Sequence, residues 1–297
     1  MRLWPFGRQK TALTAAQRDR LAQIVSTAKY ELIPLKNVRE RAEALPPGTV
    51  ATVTASPTHG IEATFDVAEW IAARGHEVIP HLSARMVRDR GHLSELVARA
   101  RAAGFRRVFV VGGDAAPAGE FLDGLSLLRA LDEIGHPFEE IGVPSYPEGH
   151  ASIPDEALMQ ALKEKQRYAH STSTQMSFNP EAVAAWIARI RADGITLPVH
   201  LGIPGAVELT KLMRIATQIG VAESARYLSK NPSMIGFLVS PGSFGPEAFL
   251  ASLAPTIADP SADIAGLHVF TFNHVAETAA WQKKMLEELR AEAPVQG

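Results

Sequence analysis

The sequence predicts an α/β protein built as a (β/α)8 barrel. Short runs rich in Val, Ile, Phe and Thr alternate with longer segments whose apolar residues fall three and four apart, eight times along the chain. Most of these runs end at a glycine or a polar side chain. At 297 residues the chain has the size of one such barrel, typically about 250 residues before insertions. Extra helices are expected at the N-terminus and between strands seven and eight. The expected organisation is an arm over residues 1–14 and a single catalytic barrel domain over 15–297. A doubly wound open sheet is the competing arrangement. No Gly-x-Gly-x-x-Gly follows the first strand and no domain break interrupts the middle, so the barrel is preferred.

The elements follow in order. Residues 15–27 read as a helix with Leu21, Ile24 and Val25 on one side. Ala28-Lys-Tyr-Glu-Leu-Ile-Pro34 is the first strand and carries Glu31. Pro46-Pro47-Gly48 marks a turn, and Val50-Ala-Thr-Val-Thr54 is the second strand. Residues 60–74 are helical, with Ile61, Phe65, Ala68 and Ala72 on one face and Gly75 as the stop. His76-Glu-Val-Ile-Pro-His81 is the third strand, and residues 93–103 form a helix ended by Gly104. Val108-Phe-Val-Val-Gly-Gly-Asp114 has the composition of a strand covered on both faces. Its glycines permit a close approach or a positive φ.

A helix over 121–134 stops at Gly135. Ile141-Gly-Val-Pro144 is the fifth strand and leads into Ser145-Tyr-Pro-Glu-Gly-His150. Ser152-Ile-Pro-Asp155 has the form of a capping box with Asp in place of Glu, opening a helix to about residue 168. Ser171-Thr-Ser-Thr-Gln175 is the sixth strand; Asn179-Pro180 opens a helix to 192. Pro198-Val-His-Leu-Gly202 is the seventh strand, and helices are expected at 207–219, 222–229 and 246–257. Leu267-His-Val-Phe-Thr-Phe272 is the eighth strand. The last helix covers 275–291, with Trp281, Met285 and Leu289 four apart.

Composition narrows the function. A net charge of -2 gives no bulk electrostatic case for nucleic acid or an acidic membrane. The absence of cysteine removes disulfides, thiol catalysis and thiolate metal sites. The basic start, Met1-Arg-Leu-Trp-Pro-Phe-Gly-Arg-Gln-Lys10, has no long apolar core behind it, unlike a secretory leader. No apolar stretch is long enough to span a bilayer. The expectation is a cytoplasmic protein that takes a small molecule, not nucleic acid or membrane. The arm and residues 207–265 are where a homo-oligomer could form its contact.

Chemistry in such a barrel sits at the C-terminal rim of the strands. Standing there are Glu31, Thr54, His81, Gly113, Asp114, Tyr146, His150 and Gln175, with Asn273 and His274 after strand eight. Thr54 and His81 each have a plain alternative, as hydrogen-bonded turn residues. Glu31 is harder to dismiss, because a carboxylate between Tyr30 and Leu32 in a central strand is costly unless paired or used. A metal hydrolase could draw ligands from His81, Asp114 and His150, but no His-x-His follows strand one. A Schiff-base enzyme needs an inward lysine; Lys36 lies just past strand one and none sits in strands five to seven. A cofactor enzyme suits the rim better, with uncharged groups orienting a planar ligand and one or two carboxylates managing protons.

These residues also carry a resemblance. Tyr30-Glu-Leu-Ile-Pro-Leu-Lys36, Val53-Thr54, Pro80-His-Leu-Ser83, Gly113-Asp114, Ser145-Tyr-Pro-Glu-Gly-His150, Leu162-Lys-Glu-Lys165, Thr174-Gln175 and Phe270-Thr-Phe-Asn273 occur in this order. Together they resemble the methylenetetrahydrofolate reductase family. The Ser145–His150 stretch is the most specific of them.

The resemblance implies a TIM barrel that uses FAD and NADH or NADPH to make 5-methyltetrahydrofolate, in one-carbon metabolism leading to methionine. It implies that Glu31 is the general acid that opens the imidazolidine ring and that Asp114 lies near flavin and pterin. Gln175 would hydrogen-bond the pterin. Thr54, His81, Gly113, Tyr146, His150 and Lys165 would contact the flavin or its phosphates. Folate would replace the pyridine nucleotide in one pocket. An apolar barrel mouth is expected to raise the Glu31 pKa by desolvation.

Departures fall on cofactor-facing parts. Gly112 stands where the family has arginine, residues 153–158 do not reproduce an acidic position, and His274 replaces an arginine. They motivate an alternative, a divergent folate-binding or one-carbon-transfer barrel without tight flavin. No Rossmann unit is present from which to choose NADH or NADPH.

Overall fold

A closed ring of eight parallel strands forms the centre of the computed structural model, which describes residues 13–116, 119–208, 243–244 and 246–291. The strands are β1 (Lys29–Leu32), β2 (Ala51–Val53), β3 (Val78–Ser83), β4 (Arg107–Val111), β5 (Glu140–Ser145), β6 (Ser171–Thr174), β7 (Val199–Pro204) and β8 (Ile264–Phe270). Each pairs with the next in sequence, and β8 closes on β1 with Glu31 opposite Phe270. This is the expected (β/α)8 barrel.

The described helices are α1 (Ala15–Ser26), α2 (Val38–Ala42), α3 (Gly60–Ala72), α4 (Arg90–Ala102), α5 (Gly124–Ile134), α6 (Asp155–Lys165), α7 (Pro180–Ala192), α8 (Glu247–Ala258) and α9 (Val275–Ala291). Val207–Glu208 pairs antiparallel with Ser243–Phe244. None of the described helices is long and apolar enough to cross a membrane. Of the arm expected over 1–14, residues 1–12 lie outside the described residues and Thr14 caps α1. The helix expected to begin at 207 begins instead as the Val207–Glu208 strand; the rest of it and the helix expected at 222–229 lie outside the described residues.

Alternation along each strand sends one set of side chains outward and the other into the barrel. Tyr30, Leu32, Val53, Leu82, Val108, Val110, Val143, Leu201 and Val269 are buried in the apolar layer between barrel and helices. Lys29, Thr52, Phe109, Gly142, Ser171, Ser173 and His268 line the barrel's interior space. The interior is therefore unusually polar, which a packed barrel tolerates only where those groups are paired or used. Gly142 is needed there: a Cβ would fall 2.6 Å from the Phe109 ring.

Three local expectations change. Strand β3 runs on to Ser83, so His81 lies inside the barrel instead of at its lip. The capping box expected at Ser152 does not form. Pro154 takes the N-cap in extended backbone, and the Ser152 N–H donates to His150 Nδ1 at 3.2 Å. A capping box forms instead at Asp123, whose carboxylate accepts from Ser126 N at 2.8 Å and starts α5 at Gly124. Helix α2 was not expected; five residues are too few to show a period.

Candidate active site

The barrel interior is layered. At its base Lys29 Nζ lies 3.4 Å from Glu140 Oε1 and 3.0 Å from His200 Nε2. Ser171 Oγ donates to Glu140 at 3.0 Å, and Arg107 Nε stands 3.4 Å from it. Burial lowers the Lys29 pKa, against the pull of Glu140. An inward lysine with a lowered pKa is what Schiff-base chemistry needs, and the sequence reading passed over this one. Yet the space beside it is a cavity of about 10 Å³, room for one water and not for a substrate. Lys29 and Glu140 thus form the barrel's basal plug.

One layer up stands Glu31. Its carboxylate is 13% exposed and lies 2.9 Å from His268 Nε2, while its backbone carbonyl accepts from Thr271 Oγ1 at 2.6 Å. Burial alone raises its pKa, but the His268 hydrogen bond, with the His268 charge behind it, outweighs this and holds it below the ordinary value. The expectation of a raised pKa is thereby corrected: the mouth is not simply apolar, because an imidazole completes it. His81 has its ring 4.8 Å from Phe109, and its Nε2 is buried without a partner. Burial drives His81 down to about 4, so it adds charge only in acid.

The lip holds the other expected residues. Thr54 follows β2 and its N–H donates to Leu32 O at 3.0 Å. Gly113 has φ 82, and a Cβ there would sit 2.0 Å from Ser83 Oγ, so only glycine fits between β3 and β4. Asp114 follows it, exposed. Tyr146, at the end of β5, is raised by burial and by the negative charge of Asp114, which places the two as neighbours. Its ring meets His150 edge-on at 5.1 Å. Gln175 is tied by its N–H to Ser145 O at 2.7 Å, and its Oε1 accepts from Met176 N at 2.8 Å.

Lys165 ends α6; burial lowers its pKa, with Asp123 opposing. Its Cε would stand 3.6 Å from a Cβ at Gly124, which would also meet the Gly112 nitrogen and the Val111 carbonyl carbon. Tyr146 and Lys165 also share a groove of about 270 Å³ with Asp155, Trp186 and Arg189. Asp155 thus brings an acid to that wall, although residues 153–158 did not show one at the family's position.

Not every rim residue faces the mouth. Asn273, at φ 62, accepts from Ile33 N and donates to Ile33 O, both at 2.9 Å, and so clamps the end of β1. Glu148 accepts from Phe178 N at 3.0 Å and Asn179 N at 3.1 Å, anchoring the start of α7. His81, inside the barrel, stands apart from Asp114 and His150 on the lip, and the described residues contain no cluster of three or more such groups spaced for a metal. His268 is the residue that sequence reasoning missed. Its place in a Leu267-His-Val-Phe run marked it as inward or outward, but nothing local named its partner.

The chain matches the family model for methylenetetrahydrofolate reductase over residues 33–225. That span includes the lip residues from Thr54 to Gln175, and it leaves Glu31 and β8 outside. The chain is 25% identical over 185 residues to methylenetetrahydrofolate reductase 1 of Schizosaccharomyces pombe (strain 972 / ATCC 24843), covering 59% of this chain and 29% of the relative. It therefore spans less than a third of that relative's length. In fold it is similar to an uncharacterized protein from Clostridium thermocellum that binds two copies of 5-methyl-5,6,7,8-tetrahydrofolic acid. The TM-score is 0.60 at 12% identity, over 89% of this chain and 98% of that one.

Proposed function

The chain belongs to the methylenetetrahydrofolate reductase family, and from that premise we propose that it reduces 5,10-methylenetetrahydrofolate to 5-methyltetrahydrofolate with NADH or NADPH through FAD. The observation that carries this reading is the Glu31 carboxyl, inward-facing and partly open at the barrel mouth. Reduction needs the five-membered ring opened first. Glu31 would give a proton to one bridging nitrogen, which leaves the methylene carbon as an iminium able to accept hydride. In this reading Asp114 and Gln175 would meet the pterin, and Thr54 and His81 the flavin or its phosphates.

The cradle around Gly112, Gly113 and Gly124 fits a phosphate-bearing cofactor in part. Lys165 stands beside the start of α5, where backbone N–H groups favour an anion, although the Asp123 cap carboxylate already takes one of them. Tyr146 and His150 form the next wall, and the groove past Lys165 gives room for a nucleotide fragment. FAD, when bound, supplies hydride transfer between the two substrates. Gly112 brings no side chain to this cradle, so its hold rests on Lys165 and backbone. That observation favours the second reading, a folate barrel that does not hold flavin tightly.

Glu31→Gln is the test. It is expected to keep nucleotide oxidation by an artificial acceptor and to lose folate reduction by about 100-fold or more. Full folate reduction in that variant would remove Glu31 from the role.

A further inference from the structure

A carboxyl that opens the folate ring must carry a proton when substrate arrives. Glu31 faces an imidazole that keeps it ionised, so a proton has to be brought to it. His268 on β8 is 2% exposed, and its Nε2 lies 2.9 Å from Glu31 Oε2. Its ring is fixed by Phe270 at 4.9 Å, Phe109 at 5.9 Å and His81 at 6.3 Å. We propose that Glu31 and His268 share one proton, and that His268 is a positioning residue that reloads Glu31 during turnover.

This rests on the reading of Glu31 as the acid. The step balances as follows. The His268 imidazolium passes its Nε2 proton to the Glu31 carboxylate, and the carboxyl so formed gives it to N10; the bond from N10 to the methylene carbon breaks, its electron pair stays on N10, and the carbon is left doubly bonded to N5. The neutral imidazole regains a proton from solvent between turnovers.

Other charged groups near the pair do not compete. Lys29 on β1 and Glu140 on β5 are paired with each other below it, and Arg107 on β4 is bonded to Glu77 and Glu140. His81 on β3, at about 4 through burial, is neutral in the working range. His200 on β7 is driven well down by burial and by Lys29. Glu31 is the described side chain seen hydrogen-bonded to His268.

Two measurements test this. The first is ¹H–¹⁵N NMR of the histidine rings in the full chain, with His268 assigned through His268→Asn and repeated in Glu31→Gln. The His268 Nε2 proton is expected at the strongly downfield shift of a proton shared with a carboxylate, and to lose that shift in Glu31→Gln. A His268 signal that is the same in both overturns the shared proton, whatever the activity. The second uses His268→Gln, which keeps an N–H toward Glu31 but no proton to give. Folate-dependent kcat is expected to fall by about tenfold or more, with little change in KM and with the alkaline limb of the pH profile displaced. Wild-type kcat and an unchanged limb overturn the reloading role. A wild type that shows the NMR shift yet never reduces the folate overturns the reading of Glu31 beneath it, and the reloading step with it.

Discussion

In the proposed reaction, Asp114 and Glu31 would divide the work of two carboxylates by their surroundings. Glu31 is only partly open and bonded to an imidazole; Asp114 is exposed at the lip beside Tyr146. In that reading the exposed one would meet the pterin, and as a solvated carboxylate it carries no desolvation penalty beforehand. Asp114→Asn is therefore expected to weaken folate handling, seen as a lower kcat/KM, with thermal melting unchanged. An unchanged folate reduction rate would count against its role. The sequence made both carboxylates visible because each interrupts or ends an apolar run. It could not show that Glu31 is held ionised, since His268 is 237 residues away. The same holds for Lys29, whose partners Glu140 and His200 lie 111 and 171 residues on.

At the scale of elements, the strands were legible because helices cover their outward faces with apolar side chains, while their inward faces carry the polar exceptions. Helix starts were legible where the cap is a short polar side chain, as at Asn179, whose Oδ1 accepts from Glu181 N at 3.1 Å. They failed at Ser152, because Pro154 set the backbone first and His150 took the serine. In the Ser145–His150 stretch the sequence marks Tyr146 and His150 as site candidates and says nothing of Glu148. Its Glu148 is a brace for α7, and this role was hidden because the partners are backbone N–H groups. Asn273 is the clearest test at this scale. Asn273→Ala removes both hydrogen bonds to Ile33 and leaves alanine in left-handed backbone. It is expected to cost about 3 kcal/mol, read as a lower urea midpoint. A midpoint within error of wild type would show that β1 is held by its strand pairing alone.

For the whole molecule, closure of β8 on β1 joins the two ends of the chain's barrel and brings His268 to Glu31. The helices outside that seam carry another buried carboxyl. Glu247, at the start of α8, is fully buried, and neither oxygen has a well-formed hydrogen bond among the described residues. Burial pushes it up to about 7 from 4.5, with its own backbone N–H and the Trp281 indole opposing. The unfolded chain then ionises first as pH rises, so stability falls from about pH 4.5 and levels off above about pH 7. The loss amounts to about 3 kcal/mol at 1.36 kcal/mol per unit. Glu247→Gln is expected to raise the melting temperature at alkaline pH and to leave it nearly unchanged in acid. An equal shift at both ends would assign the effect to packing.

The measurement that bears most directly on the account is anaerobic oxidation of NADH and of NADPH by the purified chain on adding 5,10-methylenetetrahydrofolate, with FAD supplied. The expected result is nucleotide oxidation matched mole for mole by 5-methyltetrahydrofolate. Dependence on added FAD would identify a weakly held flavin, as the bare Gly112 cradle implies. No folate-dependent oxidation of either nucleotide by wild-type protein with FAD present would contradict the reductase reading and leave a folate-binding barrel.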